Sequence, residues 1–432
     1  MTSPEAQTRR AIDAVWRIES PRLIAGLARM VRDVGIAEEL AQDSLVAALE
    51  RWPGSGIPEN PGAWLMATAK RRAIDVLRRD KRLDRKHEEL AYEIEARTEE
   101  RRAATAPDAT LDENGIADDL LRLVFTACHP VLSPEARVAL TLRLLGGLTT
   151  EEIARAFLIP EPTVAQRIVR AKRTLADAHV PFEVPVESEL ASRLSSVLEV
   201  IYLVFNEGYS ATAGDDWMRP TLCEEALRLG RILAELAPRE SEVHGLVALM
   251  EIQASRSKAR TGPSGAPVLL FEQNRALWDR MLIHRGLAAL ARADQLGGSH
   301  GPYALQAGIA ACHARAVTPG DTDWARIVSL YDDLARLSPS PIVELNRAVA
   351  VSMASGPAAG LAIVDALVSE PSLAGYHLLP SVRGDLLAKL GRFSEASAEL
   401  TRAASITRNA RERQLLLDRA GEFEARSRAS PQ

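Results

Sequence analysis

Thr163, Gln166, Arg167, Arg170 and Arg173 are spaced to share one face of a helix, with Val164, Ile168, Ala171 and Leu175 at i, i+4, i+7 and i+11 on the other. The chemistry open to such a face is hydrogen bonding and charge neutralisation, not bond making. Arg suits guanine, Gln suits adenine, and further cations meet phosphates, so the set fits the major groove of duplex DNA. A second basic set, Lys70, Arg71, Arg72, Arg78 and Arg79, follows Asn60 and Trp64 and runs on through Lys81, Arg82, Arg85 and Lys86. Positions 66–86 hold nine basic and three acidic residues, and phosphate neutralisation is the simplest use of that excess.

Each set needs an element to hold it. Thr149 and Glu152 form an S/T-x-x-E capping box that opens a short helix with Ile153 and Phe157 on one side. Leu158-Ile159-Pro160-Glu161 is the turn, because proline disfavours α geometry at the residue before it, and Pro162 suits the first position of the next helix. Helix, turn and longer helix read as a helix-turn-helix. The upstream set lies on a helix capped by Asn60, with Pro61 first and Leu65, Ala69, Ala73 and Val76 or Leu77 as its core side. Before it, one helix opens at Ser20-Pro21 and turns Leu23, Ile24, Leu27 and Met30 inward. Another, Ile36 to Trp52, carries Leu40, Leu45 and Leu49 on one side and Glu38, Glu39, Gln42 and Asp43 near its start.

The chain has 432 residues, 47% hydrophobic and 26% charged, which is ordinary for a soluble protein of several domains. Its net charge is −5, and residues 1–180 carry 27 basic and 28 acidic side chains, so DNA contact must come from local segregation of charge. Cys128, Cys223 and Cys312 are too few and too scattered for a disulfide framework. Cys128-His129 and Cys312-His313 lack a zinc finger's spacing, and no metal or cofactor is expected. Glu207, Asp215 and Asp216 cluster near Gly208-Tyr209, but no nucleophile, phosphate loop or ligand set accompanies them, so no catalytic residue is assigned. With no signal-peptide core and no apolar run long enough for a bilayer, the expected location is cytoplasmic, away from membranes.

Helical periodicity dominates from end to end, and the expected class is all-α. The first domain is assigned to 1–87. Residues 88–116 read as an acidic tether, and some thirty residues reach on the order of 100 Å when extended. Residues 117–180 hold the helix-turn-helix, and Val180-Pro181-Phe182-Glu183-Val184-Pro185 breaks the chain before a long helical region, 185–425. There Gly384, Leu387, Gly391, Phe393, Ala396, Leu400 and Ala403 match a tetratricopeptide-like helix pair, and Gly356 precedes Gly391 by 35 residues. Ala226 to Leu249 and Tyr303 to Leu334 read as further pairs, interrupted at 260–267.

Taken together, residues 1–180 resemble the extracytoplasmic-function group of bacterial RNA polymerase sigma factors, with a region 2 domain, a linker and a region 4 domain. Ile36 to Val46 is similar to the family's D-A-E-D-L-V-Q-E-type helix, which implies that Glu38, Glu39, Gln42 and Asp43 bind core RNA polymerase. Trp64-Leu65 through Asp75-Val76-Leu77-Arg78-Arg79 is similar to the reader of the promoter −10 element. The resemblance therefore gives Asn60, Trp64, Lys70, Arg71, Arg72, Arg78 and Arg79 to −10 recognition and melting. Leu142 to Leu175 is similar to the −35 reader, giving that role to Thr163, Gln166, Arg167, Arg170 and Arg173. The family's −10 asparagine is replaced here by Arg71 or Arg72, and the preceding loop carries Gly54-Ser55-Gly56-Ile57-Pro58 in place of an aromatic. Ala127-Cys128-His129-Pro130 and Phe205 to Ala211 are similar to a subgroup with a tetratricopeptide-like extension. That implies a modulating C-terminal domain and, for it, a protein ligand of the DGPF type. The alternative reading is a helix-turn-helix regulator with a repeat-type sensor, which needs no polymerase.

Overall fold

Helix starts are set by short polar side chains that accept the first free N–H groups. Asp33 Oδ1 accepts from the Ile36 N–H at 2.9 Å, Asn60 Oδ1 from Ala63 at 3.0 Å and Ser133 Oγ from Ala136 at 3.3 Å. These caps open α2 (Val34–Ser55), α3 (Pro61–Ala91) and α5 (Pro134–Leu144). The computed structural model describes residues 4–91, 113–157, 159–211, 213–263, 265–298 and 300–429, with side chains described to Arg78 and again from Asp118 around the first internal break. The described part is all-α apart from one pair of two-residue strands.

Two compact units, 1–200 and 201–432, divide the chain. The first also contains α1 (Pro4–Val31), α4 (Glu113–Ala127), α6 (Thr150–Phe157), α7 (Glu161–Asp177) and most of α8 (Glu187–Tyr209). Buried in it are Leu23, Ile24, Leu27, Leu40, Leu65, Ala69 and Ala73, and also Leu140, Leu142, Ile153, Val164 and Ile168. Trp52 is buried, and Trp64 meets it edge-on with ring centroids 5.3 Å apart.

Several expectations change. The helix expected to open at Ser20-Pro21 begins at Pro4 instead, with Pro21 inside it. Gly147, at φ 64°, lies against this stretch so closely that a Cβ there would be 3.1 Å from Ser20 Oγ and 3.4 Å from the Arg17 Cα. Leu49, expected inside, is exposed. Residues 88–91 and 113–116, read as tether, are helical; 92–112 lie outside the described residues. The break at 180–185 does not end the first unit, because the N-terminal part of α8 returns to pack on α4 and α5. Ser196 Oγ donates to the Cys128 carbonyl at 2.7 Å, Arg193 to the Phe125 carbonyl at 3.0 Å, and buried Arg137 donates to Ser196 and to Glu199 at 3.0 Å.

The second unit follows with β1 (Ala213–Gly214), α9 (Pro220–Leu236), α10 (Ser241–Ala254), α11 (Arg280–Gln295), α12 (Pro302–Arg315), α13 (Trp324–Leu337), α14 (Pro341–Ser355), α15 (Pro357–Leu367), α16 (Leu378–Lys389), α17 (Phe393–Ile406), β2 (Arg408–Asn409) and α18 (Ala410–Ala429). Successive helices pack as neighbours. Gly356 and Gly391 sit in the α14–α15 and α16–α17 turns with φ of 96° and 80°, a backbone that only glycine adopts freely. Close packing comes from other glycines: a Cβ at Gly360 would lie 2.5 Å from Ser352 Cβ, and one at Gly384 3.0 Å from Leu400. The strand pair, unforeseen in the sequence, joins β1 to β2 in parallel. Asn409 Nδ2 reinforces it, donating to the Ala211 and Asp216 carbonyls at 3.1 and 2.8 Å. The start and end of this helical array are therefore tied together.

A chain ending at Pro185 leaves the Arg137 guanidinium without Ser196 and Glu199, whereas one ending at Val200 keeps both. Loss of partners at a buried charged group costs about 1–3 kcal/mol. Thermal melts followed by circular dichroism are expected to show the shorter chain unfolding at lower temperature, and coincident melts would refute this role for α8.

Candidate nucleic-acid interface

The capping box forms as its sequence requires: the Glu152 N–H donates to Thr149 Oγ1 at 3.1 Å and the Thr149 N–H to Glu152 Oε2 at 2.8 Å. Ile153 is buried, and Phe157 half-buried. Of the turn, Leu158 lies outside the described residues; the second helix starts at Glu161, so Pro162 takes its second position. Val164, Ile168, Ala171 and Leu175 are all buried. Thr163, Gln166, Arg170 and Arg173 are consequently exposed, and Arg167 half-buried. Arg173 is engaged with Asp177 at 3.5 Å, an exposed pair of little energetic weight. A groove of about 400 Å³ runs beside this face, lined by Ser133, Thr163, Gln166, Arg167, Arg170 and Thr174 among others. Ser133 and Thr174 were not singled out from sequence. Their short hydroxyl side chains gave no signal without knowledge that α5 borders α7.

On α3, Asn60 caps the helix and Trp64 is fixed by Trp52. Arg71 and Arg78 are exposed, and Lys70 and Arg72 half-buried; the side chain of Arg79 lies outside the described residues. Arg72 pairs with Asp43 of α2 at 2.8 Å. This links one residue expected to read DNA with one expected to bind polymerase.

The four polar residues of α2 do not act alike. Glu39 is exposed and has no hydrogen bond or ion pair among the described residues, and Asp43 is exposed on its pair with Arg72. Glu38 is only 2% exposed. Its carboxylate accepts from Arg143 Nε at 2.6 Å, pairs with Lys172 and accepts from Gln42. Arg143 lies on α5 and Lys172 on α7, so one acidic side chain of α2 holds two helices of the domain that carries Thr163, Gln166, Arg167, Arg170 and Arg173. Neither cation was singled out from sequence; Lys172 gave only a weak signal, next to the buried Ala171. Burial opposes ionisation of Glu38, but the Lys172 and Arg143 charges prevail and hold its carboxyl below the usual range. Further ion pairs join Arg17 of α1 to Glu152 of α6, and Arg29 of α1 to buried Asp119 of α4 at 3.3 Å. Burial pushes the Asp119 carboxyl up in spite of Arg29 and Arg122.

No group of three or more metal-ligating side chains occurs among the described residues. The arrangement offers two basic helices with solvent-facing donors.

Comparison with known proteins separates the same parts. The model of Sigma-70 region 2 matches residues 16–83, that of Sigma-70, region 4 matches 122–175, and a family of unknown function (DUF6596) matches 193–294. The chain thus carries sigma-70 region 2 and region 4 domains, followed by a further helical region. The uncharacterized protein R00370 of Rhizobium meliloti is 44% identical across 93% of this chain and 93% of its own length. The probable ECF RNA polymerase sigma factor SigI of Mycobacterium tuberculosis is 25% identical, over 42% of this chain and 60% of its own. The ECF RNA polymerase sigma factor SigK of Mycobacterium ulcerans is 28% identical, over 36% and 78%. Among the described residues no helix is long and apolar enough to cross a membrane.

The lowered Glu38 pKa fixes the sign of a pH effect. Its contribution to stability is complete above the unfolded value of 4.5 and is lost as pH falls through the lower folded value. Glu38→Gln is therefore expected to cost about 1–3 kcal/mol at neutral pH. The gap between variant and parent melting temperatures should narrow as the pH is lowered through the carboxylate range. A gap independent of pH would count against the ion pair.

Proposed function

The chain belongs to the family that includes the uncharacterized protein R00370 of Rhizobium meliloti, and we propose that it acts as an RNA polymerase sigma factor of the extracytoplasmic-function type. It binds core RNA polymerase and directs initiation at promoters read by α3 near −10 and by α7 near −35. One observation carries this reading above the others: the two sigma-type domains stand in family order, and each turns a basic helix face to solvent while burying the opposite face. The two named mycobacterial sigma factors support the class.

No covalent chemistry is needed. Exposed Arg71 and Arg78 neutralise phosphates, and Trp64 and Asn60 border the place where a base leaves the stack. Unstacking costs a few kcal/mol per base, offset by pocket contacts and released counterions. On α7, Gln166 and Arg170 reach base edges, while Arg167 and Arg173 meet the backbone. Glu39, exposed and unengaged, is the leading polymerase contact on α2, with Asp43 beside it. Glu38 and Gln42 join them only after Arg143 and Lys172 release the carboxylate. Two readers held together by that contact cannot serve elements more than twenty base pairs apart at 3.4 Å per step. Polymerase binding is thus coupled to opening. The helical region beyond modulates this activity as a tetratricopeptide-like domain with a protein ligand, a reading supported by the 35-residue interval between its turn glycines.

Run-off transcription with purified core polymerase on genomic promoter fragments tests the proposal. Transcripts are expected only when this protein is present, and Arg170→Ala is expected to weaken upstream-element use by about 1–3 kcal/mol with relaxed selectivity at one position. Tight duplex binding by the protein alone, without any stimulated transcript, would favour a helix-turn-helix regulator instead. A separate pull-down addresses polymerase: Glu39→Ala with Asp43→Ala should reduce core binding. Retention at the parental level by a variant with native circular dichroism would remove those residues from the contact.

A further inference from the structure

Buried arginines in the second unit follow a rule with one group of exceptions. Arg219, Arg228, Arg231, Arg347, Arg383 and Arg419, all half-buried, each pair with a carboxylate. Arg256, Arg260 and Arg275 are as buried or more so, with Arg260 and Arg275 only 7% and 8% exposed, yet none pairs with a carboxylate among the described residues. Three aromatic rings connect them. Arg260 lies over Tyr209 at 3.4 Å from the ring centroid and near Trp217 at 5.4 Å; Arg256 faces Tyr209 at 5.7 Å and Trp278 at 5.8 Å; Arg275 faces Trp278 at 4.9 Å.

Neutral acceptors satisfy part of this cluster. Arg260 donates to the Tyr209 carbonyl at 2.6 Å, Arg256 to the Tyr209 hydroxyl at 2.6 Å and to Gln253, and Arg275 to the His313 and Ala316 carbonyls at 2.9 and 2.6 Å. Four donors have no acceptor: Arg256 Nε, Arg275 Nε, Trp217 Nε1 and Trp278 Nε1. Aromatic faces soften the positive charge by about 0.5–2 kcal/mol each, less than a buried guanidinium loses with its water. The surrounding potential is felt by His313, whose imidazole is pushed down to about 4 by burial and by the Arg256 and Arg275 charges. The exposed Asp321 carboxylate acts on Arg275 from a distance without forming an ion pair, and Arg256 and Arg260 have no carboxylate partner among the described residues, so the three cations and four unpaired N–H donors lack an anion that accepts several hydrogen bonds.

We infer that Arg256, Arg260 and Arg275, with Trp217 and Trp278, form a binding site for an oxyanion, the phosphate or carboxylate group of a small molecule. Arg256 and Tyr209, both half-buried, give the ligand its approach, and the more deeply buried Arg260 and Arg275 form the floor. All of these side chains fall in the 193–294 segment of unknown function, so the site would give that segment a ligand. The inference stands apart from promoter recognition and does not depend on it.

Full-length protein titrated with inorganic phosphate, and separately with citrate, at ionic strength held constant with potassium chloride, tests the site. Tryptophan fluorescence and Tm are read together. Expected is a saturable fluorescence change with a rise in Tm for at least one of the two anions, and the better one identifies the group as phosphate or carboxylate. Arg256→Gln, folded by circular dichroism, should weaken binding tenfold or more, and Trp278→Phe should remove much of the fluorescence response while leaving the Tm response. Lys258→Ala, an exposed cation on the same loop, should leave both unchanged. Absence of saturable response to either anion, an unchanged response in Arg256→Gln, or an equal loss in Lys258→Ala would each overturn the site and leave the arginines as clamps between loops.

Discussion

One buried carboxylate constrains the placement of both sigma-type domains. Glu38 on α2 cannot sit in the interior without cations, and Arg143 and Lys172 come from α5 and α7, the helices that support and present the helix-turn-helix basic face. A buried ion pair is weak as a source of net stability, because desolvating the charges takes back much of what their attraction gives. That near-balance suits a contact that, under the proposed function, comes apart when polymerase binds. When the pair opens, Glu38 regains its water, and the two states differ by much less than the strength of the individual bonds suggests. Partial exposure of both cations keeps the release accessible, since neither would need to cross an apolar interior to reach solvent.

The reading elements were legible in the sequence where their determinants are local. The capping box spans four residues, and the buried stripe of α7 repeats at helical period, so both appear without knowledge of the rest of the chain. The polar group on α2 was legible only as a group. Helix geometry divides it into Glu38 with Gln42 and Glu39 with Asp43, each pair i and i+4, and only tertiary packing decides which pair turns inward. The partner that decides it, Arg143, is separated from Glu38 by 105 positions. The place where the first unit ends depends on contacts of the same long-range kind. The prolines at 181 and 185 do interrupt the helices, but whether the next helix returns to pack on the previous domain depends on Arg137 and Ser196 meeting in space.

In the C-terminal unit the periodic glycines were readable because a positive φ in a turn is a local demand. Closure of the array was not, since Asn409 and the 211–216 loop are joined only by the fold. The stretch 260–267, which reads as an interruption of the repeat, belongs to the long connection between α10 and α11 that carries Arg260, Arg275 and Trp278. Connections of that length inside a compact domain usually have a use of their own. The break in periodicity was therefore a signal in itself, and one that pattern matching discards.

Arginine serves this chain in two physically different ways. On α7 and α3 the guanidinium groups of Arg71, Arg78, Arg170 and Arg173 stand in water, where under the proposed function a phosphate would displace counterions and affinity would fall steeply with salt. In the connection between α10 and α11 the guanidinium groups of Arg260 and Arg275 are withdrawn from water and face aromatic rings, where screening is slight and selection of the proposed anion would come from the number and direction of the donors. An acidic chain of net charge −5 can hold both because neither depends on the overall field. On α3 and α7, Arg72 and Arg173 have the carboxylates of Asp43 and Asp177 as partners. The buried set makes no ion pair with a carboxylate among the described residues, with Asp321 acting on Arg275 only from a distance, and that becomes informative once the same side chains lie inside the fold.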